Sequence, residues 1–347
     1  MNILVTGGAG YIGSFVVDEL IRSGYFPVVI DNLSTGFSES IPESVPLFNI
    51  DLLDSESLQL VFKKYKFEAV IHLAALAIVE DSVLFADLYL NHNYLTTKNL
   101  LGFCQDYRIK NFIFSSSGTV YGNQAYTGLL NEQVSPQPIN PYGVSKLNCE
   151  KLVANFAQAN QMQYLILRYF NVIGASKTCG QRAKRSTHLL HRLSQKAAQA
   201  SSFEFEIYGN DYSTTDGTCV RDYINVQDIA RIHLFGVDYL YQSKKLEQKI
   251  LNCGYGFGLS VKEIVENFAR ANKLDISIKF APRRLGDPDY LVADTSEISR
   301  TLAWRPQFQD FDQTYMTILQ WHQFLLEHDA VQTKKIFNFK TQHQAKI

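Results

Sequence analysis

The chain has 347 residues, 46% of them hydrophobic and 19% charged, which suits a globular protein built as one large domain plus a smaller one. Its 33 Lys and Arg stand against 34 Asp and Glu, a formal net charge of −1 that excludes bulk electrostatic binding to nucleic acid or an anionic membrane. Any polyanion must therefore be held by local donors.

The N-terminal run Met1-Asn2-Ile3-Leu4-Val5-Thr6 leads straight into a strand, and no apolar run reaches membrane-spanning length, so a cytoplasmic location is expected. The cysteines, Cys104, Cys149, Cys179, Cys219 and Cys253, are scattered without a CxxC pair, so neither a disulfide framework nor a metal site is expected. Continuous hydrophobic runs at 3–5, 27–30, 47–50, 69–73, 112–114 and 164–167 read as parallel strands covered on both faces. Helical patterns near 12–23, 54–65, 81–107 and 142–160 lie between them. This alternation predicts an α/β fold, a Rossmann-like doubly wound parallel sheet. Beyond Arg168 the reading is a loop at 174–186, a helix at 187–200, a strand at 205–208 and a long turn at 209–217. A strand at 250–252, a helix at 261–272, a loop at 283–288 and a helical pattern near 311–327 follow. Residues 1–170 are expected to form the cofactor domain and 171–330 mainly a smaller substrate-binding lobe. Segments near 218–253 return to the first domain, and 331–347 form a polar, frayed tail.

Gly7-Gly8-Ala9-Gly10-Tyr11-Ile12-Gly13 satisfies GxGxxG through Gly8, Gly10 and Gly13, directly after a strand and at the opening of a helix. The missing Cβ atoms let backbone approach a pyrophosphate, whose charge then sits at a helix N-terminus. About 20 residues further on, Asp31 ends the second strand, where a carboxylate accepts ribose hydroxyls and repels a 2′-phosphate. The cofactor is therefore read as NAD rather than NADP. Asp51, after the third strand, is either an adenine partner or a helix N-cap, a role that Asp54 fills equally well. Leu73-Ala74-Ala75 ends the fourth strand with small side chains, suited to close cofactor approach or to tight helix–sheet packing.

Tyr-x-x-x-Lys places a phenol and an ammonium one turn apart on a helix face, and it occurs at Tyr94/Lys98, Tyr142/Lys146 and Tyr241/Lys245. Only Tyr142 follows a proline-ended loop (Pro141) soon after Ser115-Ser116-Ser117, at the carboxyl edge of the sheet. Oxidising a carbinol carbon requires its hydroxyl proton to leave, so Tyr142 is the candidate base, with Ser117 sharing the hydroxyl. Lys146 and a cationic nicotinamide are expected to pull the phenol roughly three units below its usual value near 10, equivalent to about 4 kcal/mol. Arg221 and Arg284 suit diphosphate clamps.

The stretches VTGGAGYIGS, VIDNLSTG, FIFSSSGTVYG, PYGVSK, LRYFN, YGNDYSTTDGTCVRDYINVQDIA, APRRLGD and LVAD resemble the extended short-chain dehydrogenase/reductase family over roughly residues 1–325. Within it the chain is most similar to nucleotide-sugar 4-epimerases. The resemblance implies a tightly held NAD, a UDP-hexose substrate inverted at C4 through a 4-keto intermediate, and a homodimer paired through helices of the first domain. It assigns NAD contacts to Tyr11, Ile12, Asp31, Asn32, Asp51, Leu52 and Phe170. It assigns UDP-sugar contacts to Asn171, His188, Leu189, Tyr208, Arg221, Arg284 and Asp287, with Tyr142 as base, Lys146 as its modulator and Ser117 as hydroxyl partner.

Departures from the family pattern are Ala77 where a lysine is usual, His92 for an asparagine, and Thr96 for a smaller residue. The basic stretch Arg182-Ala183-Lys184-Arg185 is read as a loop. A 4,6-dehydratase is disfavoured because Ser117-Gly118-Thr119-Val120-Tyr121 lacks the acid pair that water elimination requires. Open alternatives are a 4-epimerase of UDP-N-acetylhexosamine, UDP-pentose or UDP-uronate. A non-enzymatic NAD sensor of the same fold is a further one, although it has no need of Ser117, Tyr142 and Lys146.

Overall fold

The computed structural model describes residues 1–124, 128–176, 179–182, 188–284 and 286–344, with side chains up to His328. In chain order the first half carries β1 (Asn2–Thr6), α1 (Tyr11–Arg22), β2 (Phe26–Asp31), β3 (Leu47–Asn49), α2 (Ser55–Lys64), β4 (Ala69–His72), α3 (Val79–Leu84), α4 (Ala86–Asp106), β5 (Asn111–Ser117), α5 (Pro141–Asn160) and β6 (Gln163–Tyr169). The second half carries β7 (Asn171–Ile173), α6 (Leu189–Ala197), β8 (Ser202–Tyr208), β9 (Val220–Asn225), α7 (Val226–Gln242), β10 (Gln248–Cys253), β11 (Gly258–Ser260), α8 (Val261–Asn272), β12 (Asp275–Ala281), β13 (Tyr290–Leu291), α9 (Ser296–Leu302) and α10 (Phe311–Gln344).

Seven strands form one sheet in the order β10-β6-β5-β4-β1-β2-β3, and every pairing in it is parallel. The Rossmann-like expectation holds. Alternate side chains enter separate cores: Ile3 and Val5 of β1 join one, with residues of α1 and α7, while Leu4 joins the other, with residues of α2, α4 and α5. Both faces being covered is why the strands read as unbroken apolar runs. The order turns back on itself at β1, so the crevice between the carboxyl ends of β1 and β4 is the topological switch point where such sheets hold ligands.

After β6 the chain leaves the sheet through Phe170. It forms β7, which pairs with β9 in a second sheet that also contains β11 and β13. A parallel pair, β12 with β8, stands apart from both. These elements surround a third core that includes Phe205, Phe268, Tyr315 and Trp321. β10 returns to the main sheet beside β6 and α7 packs against α1, whereas β9 lies in the second sheet.

Two helix expectations need correction. The pattern near 81–107 is broken at Phe85, whose backbone (φ −127°, ψ 51°) separates α3 from α4 without a Gly or Pro to mark the point. The expected frayed tail at 331–347 is helical as far as Gln344. No glycine or proline occurs between 311 and 347, and Lys and Gln are good helix formers, so nothing local stops the helix.

Candidate active site

The turn after β1 is shaped by what a side chain would collide with. Gly7 has φ +70°, and a Cβ there would lie 2.6 Å from the Ala74 nitrogen; one on Gly13 would lie 2.2 Å from the Gly7 carbonyl. The turn after β1 and the segment that follows β4, at Leu73 and Ala74, are therefore packed backbone to backbone. α1 opens at Gly10 with no side-chain cap, leaving its first N–H groups, around Tyr11 and Ile12, for an outside acceptor. Asp31 is buried at the end of β2 and accepts N–H groups from Ala9 and Leu33 at 3.0 and 2.9 Å. Burial raises its pKa against these bonds. Asn32 donates to Asp51 at 3.1 Å, and Leu52, buried, follows. The cap of α2 is Asp54, which accepts from Ser57, so Asp51 is free of that duty. Leu73 bonds back to Thr6 at 3.1 Å, closing the switch point. The glycine cradle, an uncapped helix start and a carboxylate at the end of β2 fit a dinucleotide with an unphosphorylated ribose.

The second group lies at the carboxyl end of β5. Asn140 caps α5 by accepting from Gly143 at 2.8 Å, and Pro141 occupies the first helical turn, as the sequence predicts. This start sets Tyr142 against β5, with its backbone N–H on the buried Ser82 hydroxyl at 3.1 Å. A Cβ on Gly143 would fall 2.8 Å from the Thr119 carbonyl, so only glycine admits this approach. Ser117 accepts from both the N–H and the hydroxyl of Thr119, at 3.2 and 3.0 Å. With its acceptor sites taken, its own proton is left for the Tyr142 oxygen, the bond that lowers the phenol's pKa. Lys146 is buried, donates to the Ser115 carbonyl at 2.7 Å and lies 5.9 Å from the centre of the Tyr142 ring. Tyr94 and Tyr241, the other two spacings, are on exposed helix surface.

The expected fall in the Tyr142 pKa joins Lys146 to a cationic nicotinamide; without that ring the chain's own groups act in the opposite direction. Burial pushes Tyr142 up to about 12, outweighing the Ser117 hydrogen bond, and pushes Lys146 down to about 8. Without the nicotinamide charge, burial of the phenol thus favours its protonated form, and Lys146, itself dry and bonded to Ser115, does not offset it.

The third group comes mostly from the second lobe. Phe170 and Asn171 span the crossing between the sheets, and the Phe170 ring lies against Gly118. Tyr11, Asn171, His188 and Leu189 line one cavity with His191 and Trp321, and the Tyr11 hydroxyl ties the glycine turn to this lobe through the Gly174 carbonyl at 2.7 Å. Arg284 stacks 4.2 Å over the Tyr208 ring and pairs with Glu80 of α3 at 3.0 Å. Arg221 is buried, bonded to the Val220 carbonyl and paired with Asp287 at 2.9 Å. Arg221, Asp287 and Arg284 all act electrostatically on the buried Cys219 thiol, so they share one region. Arg182 stacks on Phe37; the rest of that basic stretch, 183–185, is outside the described residues.

Sequence reasoning missed several participants. Asn93, beside His92, is buried and bonds both the N–H and the carbonyl of Leu76 as well as Ser145. Thr119, Ser82 and Glu80 were passed over too. A buried polar residue in a helix pattern is the signal that marks Asn93; the others have none. Among the described residues no cluster of potential metal ligands occurs, and no helix is long and apolar enough to cross a membrane.

This geometry defines a dinucleotide-dependent enzyme of the short-chain dehydrogenase type. The chain matches the NAD dependent epimerase/dehydratase family over residues 3–254 and belongs to it. A UDP-glucose 4-epimerase of Azospirillum brasilense is 38% identical over 326 residues, covering 93% of this chain and 92% of the relative. The crystal structure of UDP-glucose 4-epimerase from Brucella ovis in complex with NAD is 38% identical with a TM-score of 0.86, covering 93% of this chain and 98% of that one. The enzyme of the same name from Bifidobacterium longum, in complex with NAD+ and UDP, is 32% identical with a TM-score of 0.86, covering 92% and 98%.

Proposed function

We propose that the chain is an NAD-dependent UDP-hexose 4-epimerase, interconverting UDP-glucose and UDP-galactose. The observation that carries this reading is the convergence of Ser117, Tyr142 and Lys146 at one strand end, linked through α3 (Ser82 to Tyr142, Glu80 to Arg284) to the group of Tyr208, Arg221 and Arg284. Residues 1–170 hold the cofactor and 171–330 mainly the nucleotide sugar. NAD is cradled by Gly7, Gly10, Tyr11, Ile12 and Gly13, with Asp31 on its ribose. Asn32, Asp51, Leu52, Leu73, Ala74, Ala75, Lys146 and Phe170 complete its walls.

When bound, NAD+ supplies a reversible two-electron acceptor and a cationic ring that favours the tyrosine anion. Tyr142 takes the proton of the 4-hydroxyl at its phenol oxygen as C4 is oxidised, and returns it when C4 is reduced from the other face. Ser117 gives its one proton to the Tyr142 oxygen, stabilising the phenolate and fixing the point at which the 4-hydroxyl proton is received. Lys146 adds positive charge beside the ring. Arg284, Arg221 and Tyr208 anchor the diphosphate, with Asn171, His188 and Leu189 beside it and Asp287 holding Arg221. The 4-keto sugar turns about that anchor, which is how one set of residues serves both faces.

Incubation of purified protein with UDP-galactose, with products separated by chromatography, tests this. UDP-glucose is the expected product; turnover of only UDP-N-acetylhexosamine, UDP-pentose or UDP-uronate overturns the hexose assignment. All five cysteines are free thiols, in keeping with a cytoplasmic enzyme. The chain pairs as a homodimer through α3 and α4, where Leu84, Phe85, Leu88 and Leu95 are exposed. A monomer by analytical ultracentrifugation contradicts that pairing.

A further inference from the structure

We propose that Glu150 is a positioning residue for this reaction, holding the end of β5 against α5 so that Lys146 and Ser117 meet Tyr142 in a fixed, charged arrangement. The proposal rests on the reading above of Tyr142 and Lys146 as the reacting pair.

Tyr142, Lys146 and Glu150 are spaced four residues apart on α5 and share one face of the helix. Opposite them run the three consecutive serines of β5, and each serine meets one of the three. Ser117 serves the Tyr142 phenol, the Ser115 carbonyl accepts from Lys146 Nζ at 2.7 Å, and the Ser116 hydroxyl donates to Glu150 Oε1. The strand alternates its side chains, so Ser116 turns its hydroxyl to α5 while Ser115, whose side chain lies on the other face, offers Lys146 its carbonyl; Ser117 reaches Tyr142 from the strand's end.

Glu150 is anchored from the far side as well. Arg168, the register partner of Ser116 on β6, donates from Nε and Nη2 to both carboxylate oxygens at 2.9 and 2.6 Å. Its guanidinium lies 4.8 Å over the Tyr121 ring, and the Tyr121 hydroxyl reaches Asn252 of β10 at 2.8 Å. Glu150 is 3% exposed, Arg168 2% and Ser116 1%. A buried ion pair of this kind is often no better for stability than apolar residues of the same shape, so its place beside Lys146 points to a role in function.

The groups facing Lys146 are few. His72 of β4 is held neutral by burial, down to about 3; Cys149 on α5 is held as the thiol by burial. Tyr164 and Arg168 of β6 lie on the Glu150 side, and Thr97 and Asn93 of α4 are uncharged. Against burial, Cys149 and then Glu150 raise the Lys146 pKa, and Glu150 is the carboxylate of the two. Without it, Lys146 loses its proton at lower pH and Arg168 stands unpaired nearby.

The test is the pH dependence of kcat and KM for UDP-galactose, measured on the NAD-loaded enzyme. Glu150→Gln keeps the size and the Ser116 contact and removes the charge. The alkaline limb of its kcat profile is expected to move down by about one pH unit, a roughly tenfold loss on that limb. KM is expected to change less than about twofold, because the anchor residues are untouched. A folded Glu150→Gln enzyme whose profile coincides with the parent's overturns the proposal. If the unpaired arginine prevents folding, Glu150→Gln combined with Arg168→Gln removes both charges; a smaller shift in the same direction is expected, and a coincident profile overturns the proposal equally. Parent enzyme that epimerises no UDP-sugar at any pH would instead defeat the functional reading itself.

Discussion

Replacing Gly7 by alanine tests the cofactor cradle quantitatively, because the fold contains its own control. Gly7 (φ +70°) and Gly24 (φ +80°) share the left-handed backbone, but a Cβ at Gly24 meets nothing within 4 Å, whereas one at Gly7 lies 2.6 Å from the Ala74 nitrogen and 2.8 Å from its Cα. The backbone penalty for alanine in this region is about 1–2 kcal/mol, partly offset by about 0.4–1 kcal/mol from a stiffer unfolded chain. Gly24→Ala should therefore cost about 1 kcal/mol. At Gly7 the neighbour is backbone of the segment after β4, which has no rotamer through which to escape, so an overpacking penalty of about 1–3 kcal/mol is added. Gly7→Ala should cost about 2–4 kcal/mol and, because the displaced backbone lines the switch point, weaken NAD binding at least about tenfold. Thermal melts of NAD-free protein and calorimetric NAD titration read the two effects separately. A Gly7→Ala protein that melts like Gly24→Ala and binds NAD like the parent would refute the close-packed cradle.

Arg284→Met removes a charge-assisted anchor worth about 1.5–3 kcal/mol, so KM for UDP-galactose should rise roughly 10- to 100-fold with kcat changed far less; an unchanged KM contradicts the diphosphate role. His233 and His322 are buried and held at about 4 by desolvation, below the usual 6.5. The folded state thus takes up protons later than the unfolded chain, so stability is full above about 6.5 and is lost as pH falls toward 4, by about 2–3 kcal/mol for each. Melts from pH 8 to 4.5 check this, and a melting temperature flat below 6.5 refutes it. Asp31→Asn should erode the preference for NAD over NADP at least about tenfold, read as the ratio of the two dissociation constants.

The first half of the fold was legible because both faces of its sheet are covered, which turns each strand into an apolar run with glycine punctuation. The second lobe was not. β12, exposed along much of its length, pairs with β8 from 73 residues away in register (Asp275 with Ser202), and no local pattern announces such a partner. α7 went unread although its face is largely buried, because it follows β9 directly with only Asn225 to cap it. At the site, the Asn140–Pro141 start of α5 and the glycine turn were readable as capping and steric chemistry. The state of Tyr142 was not: spacing gives the nearness of Lys146 but says nothing of the burial that lifts the phenol to about 12. The same limit hid Glu150, which as a sequence is one more acidic residue on a helix.

The most direct measurement is epimerase turnover of Tyr142→Phe, made on protein shown to be folded and NAD-loaded. Phenylalanine keeps the ring and removes the one oxygen through which the 4-hydroxyl proton is proposed to pass, so kcat should fall by at least about a hundredfold while UDP-sugar binding stays within a few-fold. Turnover near that of the parent enzyme would contradict the account.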